Sequence, residues 1–554
     1  MHPTNHPTFN KLPRFLCLLM LLFLVQGVFA QGEWNNWYFG AKAGITFQNG
    51  SPPTALLNSN MFSVGGCSVI SDSAGQLVFY TNGDVVYNRL HQVMLNGTGL
   101  HGYNNNESIV AVPLPGSNTK YYLFANGFLT TPPSPPGTTL EYSIVDMTLD
   151  NGLGGILSSF KNIIIQGAEL SSGAITAVRH LNNRHIWIIV QTTDSPKRFL
   201  SYLLTEGGLR SPVVSYPQQL TTYNSPGRIR VSHNGRKLFC QYVYAEAEYY
   251  DFNPSTGIVS SLFSFSIPGQ QHIFTAEFSV DNKYIYVFSP NYTSGIHSIT
   301  QFNAGLTDST LFMKSGAKVA DLNFWGNMRL APDNKIYITK RRQYVTGIDS
   351  LSVIHSPGLP VPLCSYQDNY IPLLGRSCKE NLPFFLQRYF AYINHTGYCQ
   401  GMPVTFEPNT WPPPDSLWWN FGDPASGTAN FSNDSTPEHT FSSAGTFTVQ
   451  MIVRHVDMRY DTATLHLTIE PQPAPNLGPD RTVCENQTVV LDAGFNPQWT
   501  YLWTTGATTS SIAVNNSGTY GVTVTSPNSC IGSDSVVLSI LPGSTPLPKQ
   551  IRHN

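Results

Sequence analysis

One unit recurs six times in the first two-thirds of the chain: a polar turn of Asn, Asp, Ser or Gly running straight into a strand of alternating apolar residues. The copies occupy residues 71–80, 115–124, 181–189, 232–239, 279–287 and 331–338. Asn, Asp and Gly suit this turn because a tight hairpin demands positive φ angles. A second element trails most copies by roughly twenty residues, about half a propeller-blade repeat. It is seen at 250–257, 300–305, 144–147 and 202–205, each a strand running into a turn. Four strands per unit, repeating about every 45–50 residues, is the pattern of a β-propeller. The Pro-rich stretch 131–137 reads as a surface insertion in one blade.

The early strand from Trp37-Tyr38-Phe39-Gly40 through Ile45-Thr46-Phe47 lacks a hairpin of its own, and Leu382-Pro383-Phe384-Phe385-Leu386 lies far downstream. Together they make a last blade closed by both ends of the domain, which protects its edges. That favours seven blades over six. Stacked β-sandwiches are the competing architecture.

Composition agrees with an all-β chain. Tyr 27, Phe 31, Gly 45 and Pro 40 supply pleated-surface aromatics and turn residues. At 554 residues, two to four domains are expected. Charged residues are only 12% of the total, with a net charge of −2. No basic face for nucleic acid or anionic lipid is implied.

Lys11 and Arg14 precede the apolar run 15–25, and Val28 and Ala30 offer a cleavage site before Gln31. This is the pattern of a signal peptide over residues 1–30. No later stretch is apolar enough to span a bilayer, so the expected location is secreted or cell-surface. Export makes the cysteines candidates for disulfides. Beyond Cys17, seven remain. Cys484 with Cys530 is the best candidate pair, and Cys364 with Cys378 the next, with Cys399 competing for the latter. An odd number leaves at least one thiol over.

After Tyr392 the composition changes, so the propeller-like region is taken as 31–395. Residues 396–470 contain Trp419-Asn420-Phe421-Gly422-Asp423, then His439-Thr440-Phe441 and Gly445-Thr446-Phe447-Thr448-Val449. These resemble the core motif of PKD (polycystic kidney disease) domains over about seventy residues. The resemblance implies a β-sandwich with Trp419 in its core and a turn at Gly422-Asp423. It departs at Pro424, where a Gly is usual, so the loop 424–430 is expected to be remodelled.

A Pro-rich linker at 471–475 leads to residues 476–542, with Trp503 as core tryptophan and Tyr520, Val522 and Val524 on one strand face. This part resembles the Ig-like repeats of secreted Bacteroidetes surface proteins. The whole arrangement is similar to gliding-motility-associated and adhesin-like proteins of that phylum. Such proteins generally end in a sorting domain for type IX secretion, and none is read in the tail 543–554.

Chemistry is sparse. No G-x-S-x-G, H-E-x-x-H, Walker or Rossmann pattern stands in a supporting context, so no catalytic residue, cofactor or metal site is assigned. Asp72, Asp281 and Asp333 have calcium-type oxygen chemistry, but hairpin-turn bonding is their expected role. His439 and Asp423 are read as structural. Glu246 and Glu248 are a candidate carboxylate pair for glycoside hydrolysis. Trp34 with Trp37, and Trp411 with Trp418, are candidate sugar-stacking pairs. The expectation is a non-catalytic interaction protein binding an extracellular protein or glycan. A polysaccharide hydrolase or lyase and a component of an envelope or motility assembly are the alternatives.

Overall fold

The computed structural model describes residues 32–102, 107–128, 138–168, 171–194, 196–218, 226–242, 246–341, 349–455 and 459–541. The segment 1–30 read as a signal peptide, the Pro-rich stretch 131–137 and the tail 543–554 lie outside the described residues. The chain divides into two compact units: residues up to Phe390, with Thr410–Pro414 and His455–Tyr460, and the remainder.

In the first unit every one of the six repeats is the hairpin joining the first two strands of an antiparallel meander. Five of the turns share one geometry. The fourth residue donates its N–H to the first carbonyl, as in Gly75 to Asp72, Asn183 to His180, Gly235 to Ser232, Asn282 to Ser279 and Asn334 to Ala331. That fourth residue has positive φ in each case, between 54° and 82°. A type I turn closed by a left-handed residue needs Gly or Asn there, which explains the recurring composition. Aspartate acts differently. Asp72 accepts from Gln76 N at 2.8 Å, Asp281 from Ser279 Oγ at 2.6 Å, and Asp333 from Tyr337 Oη at 2.8 Å. These side chains brace the turns.

The meanders follow one another as blades. They begin with Ser68–Ser71, Ile109–Pro113, Ser171–Arg179, Pro226–Val231, Thr275–Phe278 and Met328–Leu330 as successive innermost strands. Apolar clusters bridge neighbours in turn. One joins Phe79 and Val86 to Ile109 and Leu123, the next Val110 and Phe124 to Ile175 and Ile188. Further clusters join Val178 and Ile189 to Ile229, and Phe239 to Ala276 and Phe278. The circle closes through Asn36–Phe39, Ala43–Thr46 and Thr54–Ala55. Trp37, Phe39 and Ile45 of this sheet share a cluster with Val69 on one side and Tyr337, Leu351 and Ile371 on the other.

Residues 377–386 run along Asn36–Phe39 from the inside: Ser377 bridges Ala41, and Leu386 O accepts from Trp34 Nε1 at 2.8 Å. Phe384 N meanwhile donates to Cys67 O at 2.8 Å. Both ends of the domain thus complete the seventh blade, with isolated bridges in place of a regular fourth strand. This is a β-propeller.

The second unit holds two β-sandwiches. The first packs Phe390–Thr396, Val404–Trp411 and Glu438–His439 against a sheet of Phe431–Ser432, Pro414–Asn420, Gly445–His455 and Tyr460–Ile469. Its first strand straddles the 395/396 boundary expected from composition. The second sandwich faces Arg481–Cys484, Ile531–Leu541, Gly518–Thr525 and Thr500–Trp503 against Val489–Asp492 and Ser511–Val514.

The disulfide pairing differs from both expected pairs. The bond joins Cys399 to Cys530, 131 residues apart. Cys484 lies opposite Leu541 at the far end of the strand that begins beside Cys530. Ten residues of strand separate the two, about 33 Å at 3.3 Å per residue, so Cys484–Cys530 is geometrically excluded. Cys364 and Cys378 are buried thiols, and Cys378 is engaged with Lys340, donating to its carbonyl at 3.4 Å. Their partners in sequence are not their partners in space. The Cys399–Cys530 bond clips the two sandwiches together. Around it, Asn528 Nδ2 donates to Glu470 Oε1 at 2.6 Å and Glu470 N to Tyr398 O at 2.7 Å. Non-reducing peptide mapping should recover a Cys399–Cys530 cross-linked peptide. Replacing either cysteine by Ser should destabilise the second unit by roughly 2–5 kcal/mol, read by denaturant unfolding.

Candidate functional site

The innermost strands alternate with period two, and this decides what reaches the propeller axis. Ile229, Ala276, Phe278 and Leu330 face the cores between blades. Their neighbours Arg228, Arg230, Thr275, Glu277, Asn327 and Arg329 turn the other way and meet on the axis. Arg230 pairs with Glu107 and donates from Nη2 to Asn327 Oδ1 at 2.8 Å. Asn327 Nδ2 donates to Glu107 Oε1 at 2.8 Å. Arg329 bridges two carboxylates, 3.6 Å from Glu107 and 3.8 Å from Glu277. Towards the end away from the hairpins, Arg228 holds Glu380 at 2.9 Å, and Arg341 holds the same carboxylate at 2.6 Å.

These groups are deeply buried. The side chains of Arg230 and Glu277 are 3% and 2% exposed. Burial raises the Glu277 carboxyl, with Arg329 and Arg230 opposing it. His233, below Glu277, is pushed down to about 3 by burial and by the charge of Arg388, so it is neutral at ordinary pH. The axis is therefore a plug of reciprocally paired charges. Removing one partner strands the other in a dry interior. Glu107→Gln or Arg230→Met alone should cost about 3–5 kcal/mol in first-unit stability, and the double variant less than the sum. Chemical denaturation of all three measures this.

The hairpin end of the propeller holds an open pocket of about 440 Å³. Its walls come from Glu33 and Trp34, the turn at Ser71–Ser73, the turn residues Ser117 and Asn118, Tyr121, Arg179, Phe385–Tyr389 and Arg459. Arg179 Nε donates to Gln387 O at 3.0 Å, and Arg388 Nη1 to Pro332 O at 2.8 Å. The Arg179 and Arg459 guanidiniums stand 5.9 and 5.0 Å from the Tyr389 ring centre, and Arg388 stands 5.8 Å from that of Trp34. Glu33 and Arg459 approach at 4.0 Å. At the opposite end, Tyr292, His297 and Trp325 pack edge to face at 5.9–6.1 Å.

The residues singled out from sequence are scattered. Glu248 is buried and accepts from Tyr242 Oη at 2.6 Å, whereas Glu246 is exposed and outside the strand. They do not form a facing carboxylate pair. Trp34, Trp37 and Trp411 are buried; Trp418 is exposed. Among the described residues no cluster of three or more His, Cys, Asp or Glu side chains forms a metal site. In the first sandwich, Asp423 accepts from Ser442 N at 2.8 Å and Ser442 Oγ at 2.5 Å, and lies 3.2 Å from His439 Nε2. His439 stacks on Phe421 at 4.4 Å and meets Phe441 edge-on. Phe447 packs on Phe441, while Gly445 is exposed at the strand start. Trp419 is buried and donates to Asp434 O at 3.0 Å. Gly422 has φ 70°, and a Cβ there would meet Thr448 O at 2.4 Å, so no other residue fits. The 424–430 loop forms a 3₁₀ turn, from which Asn430 Oδ1 accepts Asp423 N at 2.7 Å. In the second sandwich, Trp503 is buried and donates to Thr509 O at 2.7 Å, and half-buried Tyr520 donates to Asn516 O at 2.9 Å.

Burial raises the Asp423 carboxyl, but the Ser442 hydrogen bonds and His439 outweigh it, and the net shift is downward. A carboxyl depressed in the folded state stabilises above its unfolded value, near 3.9, and that support is lost as pH falls through its folded value. Asp423→Asn should therefore cost about 1–3 kcal/mol at neutral pH and flatten the acid limb of the second unit's stability curve. Unfolding followed from pH 7 to pH 2 checks this.

The axial residues escaped the sequence reading. Aligning the repeats on their turns places Arg230, Glu277 and Arg329 two residues before the first turn residue, and that register was the available signal.

No family model matches the chain, and no curated protein matches it. Solved structures resemble it loosely. An extracellular domain assigned to a hybrid two component system of B. thetaiotaomicron is 14% identical, with TM-score 0.35, over 79% of this chain and 56% of that one. The chain thus spans about half of that domain's length. The Dos1 propeller is 10% identical, with TM-score 0.32, over 56% of this chain and 74% of that one. The DIP-gamma IG1+IG2 structure is 15% identical, with TM-score 0.17, over 28% of this chain and 96% of that one. At these scores the fold rests on the sheets described above. Among the described residues no helix is long and apolar enough to cross a membrane.

Proposed function

We propose that this chain is an exported, non-catalytic interaction protein of the adhesin-like kind. Its propeller presents a ligand-binding face, and its PKD-like and Ig-like sandwiches act as spacers or added adhesive modules. The pocket at the hairpin end carries this reading, because it gathers guanidinium groups and aromatic rings around an open volume of about 440 Å³. Such a volume lies within the range of small-ligand sites. The axial carboxylates fit a structural role, each being held by a guanidinium. An extracellular setting accounts for the apolar N-terminal segment and for the Cys399–Cys530 bond.

The test is a glycan array together with a whole-cell adhesion assay on the chain from Gln31 onward. Saturable binding to a glycan or cell surface is the expected outcome. Absence of binding to any glycan, protein or cell surface, or turnover of a polysaccharide abolished by Glu107→Gln or Glu277→Gln, would sink the proposal.

A further inference from the structure

The pocket's chemistry narrows the ligand class, on the footing that the propeller binds glycans. We infer that the hairpin-end pocket takes an acidic sugar unit, bearing a carboxylate or a sulfate, through Arg179, Arg388 and Arg459. Three guanidiniums line it against two carboxylates, Glu33 and Asp72. Planar guanidinium donors match the paired oxygens of carboxylate and sulfate better than they match neutral hydroxyls.

Two of the guanidiniums are also held in place before any ligand arrives. Arg179 is tied to Gln387 O, and Arg388 to Pro332 O and Asn334. These carbonyl acceptors fix the direction of the two groups, which lowers the entropy lost on binding. Arg459 is the adjustable member: its side chain is 42% exposed, and Glu33 stands 4.0 Å away as an internal competitor.

A saccharide fits this place better than an acidic peptide. Peptides that bind a β-domain commonly add to a free strand edge and use its backbone groups. This pocket is built from strand ends and turns, with side-chain hydroxyls from Ser73, Ser117 and Tyr121 at hand for ring hydroxyls.

Titration calorimetry on the chain from Gln31 onward would compare three probes: an oligogalacturonide, a heparin-derived sulfated oligosaccharide and a neutral cello-oligosaccharide. Binding of one or both acidic probes is expected, weakening as salt rises, with the preferred probe separating uronate from sulfate recognition. Arg459→Gln should weaken it by roughly tenfold or more. Glu33→Gln removes the competing carboxylate and should tighten binding; this opposite sign keeps the test decisive where an arginine variant unfolds. Acidic-probe binding untouched by either variant would overturn the pocket assignment. Binding of the neutral probe alone would overturn the charge argument while leaving glycan binding in place. Failure of all three probes, with array and cell binding retained, overturns the acidic-sugar inference alone; failure of every assay removes the parent proposal too.

Discussion

The first unit depends on the two-residue alternation along its innermost strands. One row of side chains must fill the wedge between neighbouring blades, and the next must face its counterparts across the axis. Ile229, Ala276 and Leu330 satisfy the first demand by shedding water. Arg230, Glu277 and Arg329 satisfy the second with charge, which is tolerable in a dry interior only because each cation meets a carboxylate. A shift of one residue in any of these strands would exchange the rows, placing guanidiniums between blades and aliphatic groups on the axis. The plug thus specifies register as well as closing the centre.

The second unit reaches definition by different means. Each sandwich has an aromatic centre: Trp419, Phe421 and Phe441 in the first, Tyr501 and Trp503 in the second. Polar groups beside these rings are tied down individually, Asp423 by Ser442 and His439, and Trp503 by Thr509. The junction between the sandwiches is also fixed. A Cβ on Gly532 would fall 1.7 Å from Pro473 O, so the Pro-rich connection lies flat against the second sandwich. The Cys399–Cys530 bond adds a covalent closure to a junction already close-packed.

How much of this could be read from sequence follows from the range of the interactions. The six hairpins were legible because their turn residues answer to local backbone geometry, as positive φ at Gly235 and Asn282 shows. The Trp419–Val449 motif was legible because its aromatic spacing follows strand alternation. The axial network was not, because Glu107 and Asn327 are 220 residues apart and meet only when the ring closes. The hairpin-end pocket was hidden for the same reason, drawing on Glu33, Arg179, Arg388 and Arg459. Trp34, one of the candidate sugar-stacking rings, lines that pocket, but with its indole N–H bound to Leu386 O.

The sequence by itself determined an all-β chain with a repeated head, because turn chemistry and alternation act over a few residues. Tertiary structure decided which cysteines bond, which charges share the axis and which arginines share a pocket. Cys484 was a reasonable partner for Cys530 by position, yet a parallel strand pairing puts it at the wrong end. Such outcomes depend on distances through space between residues remote in the chain, and only the assembled sheets set those distances.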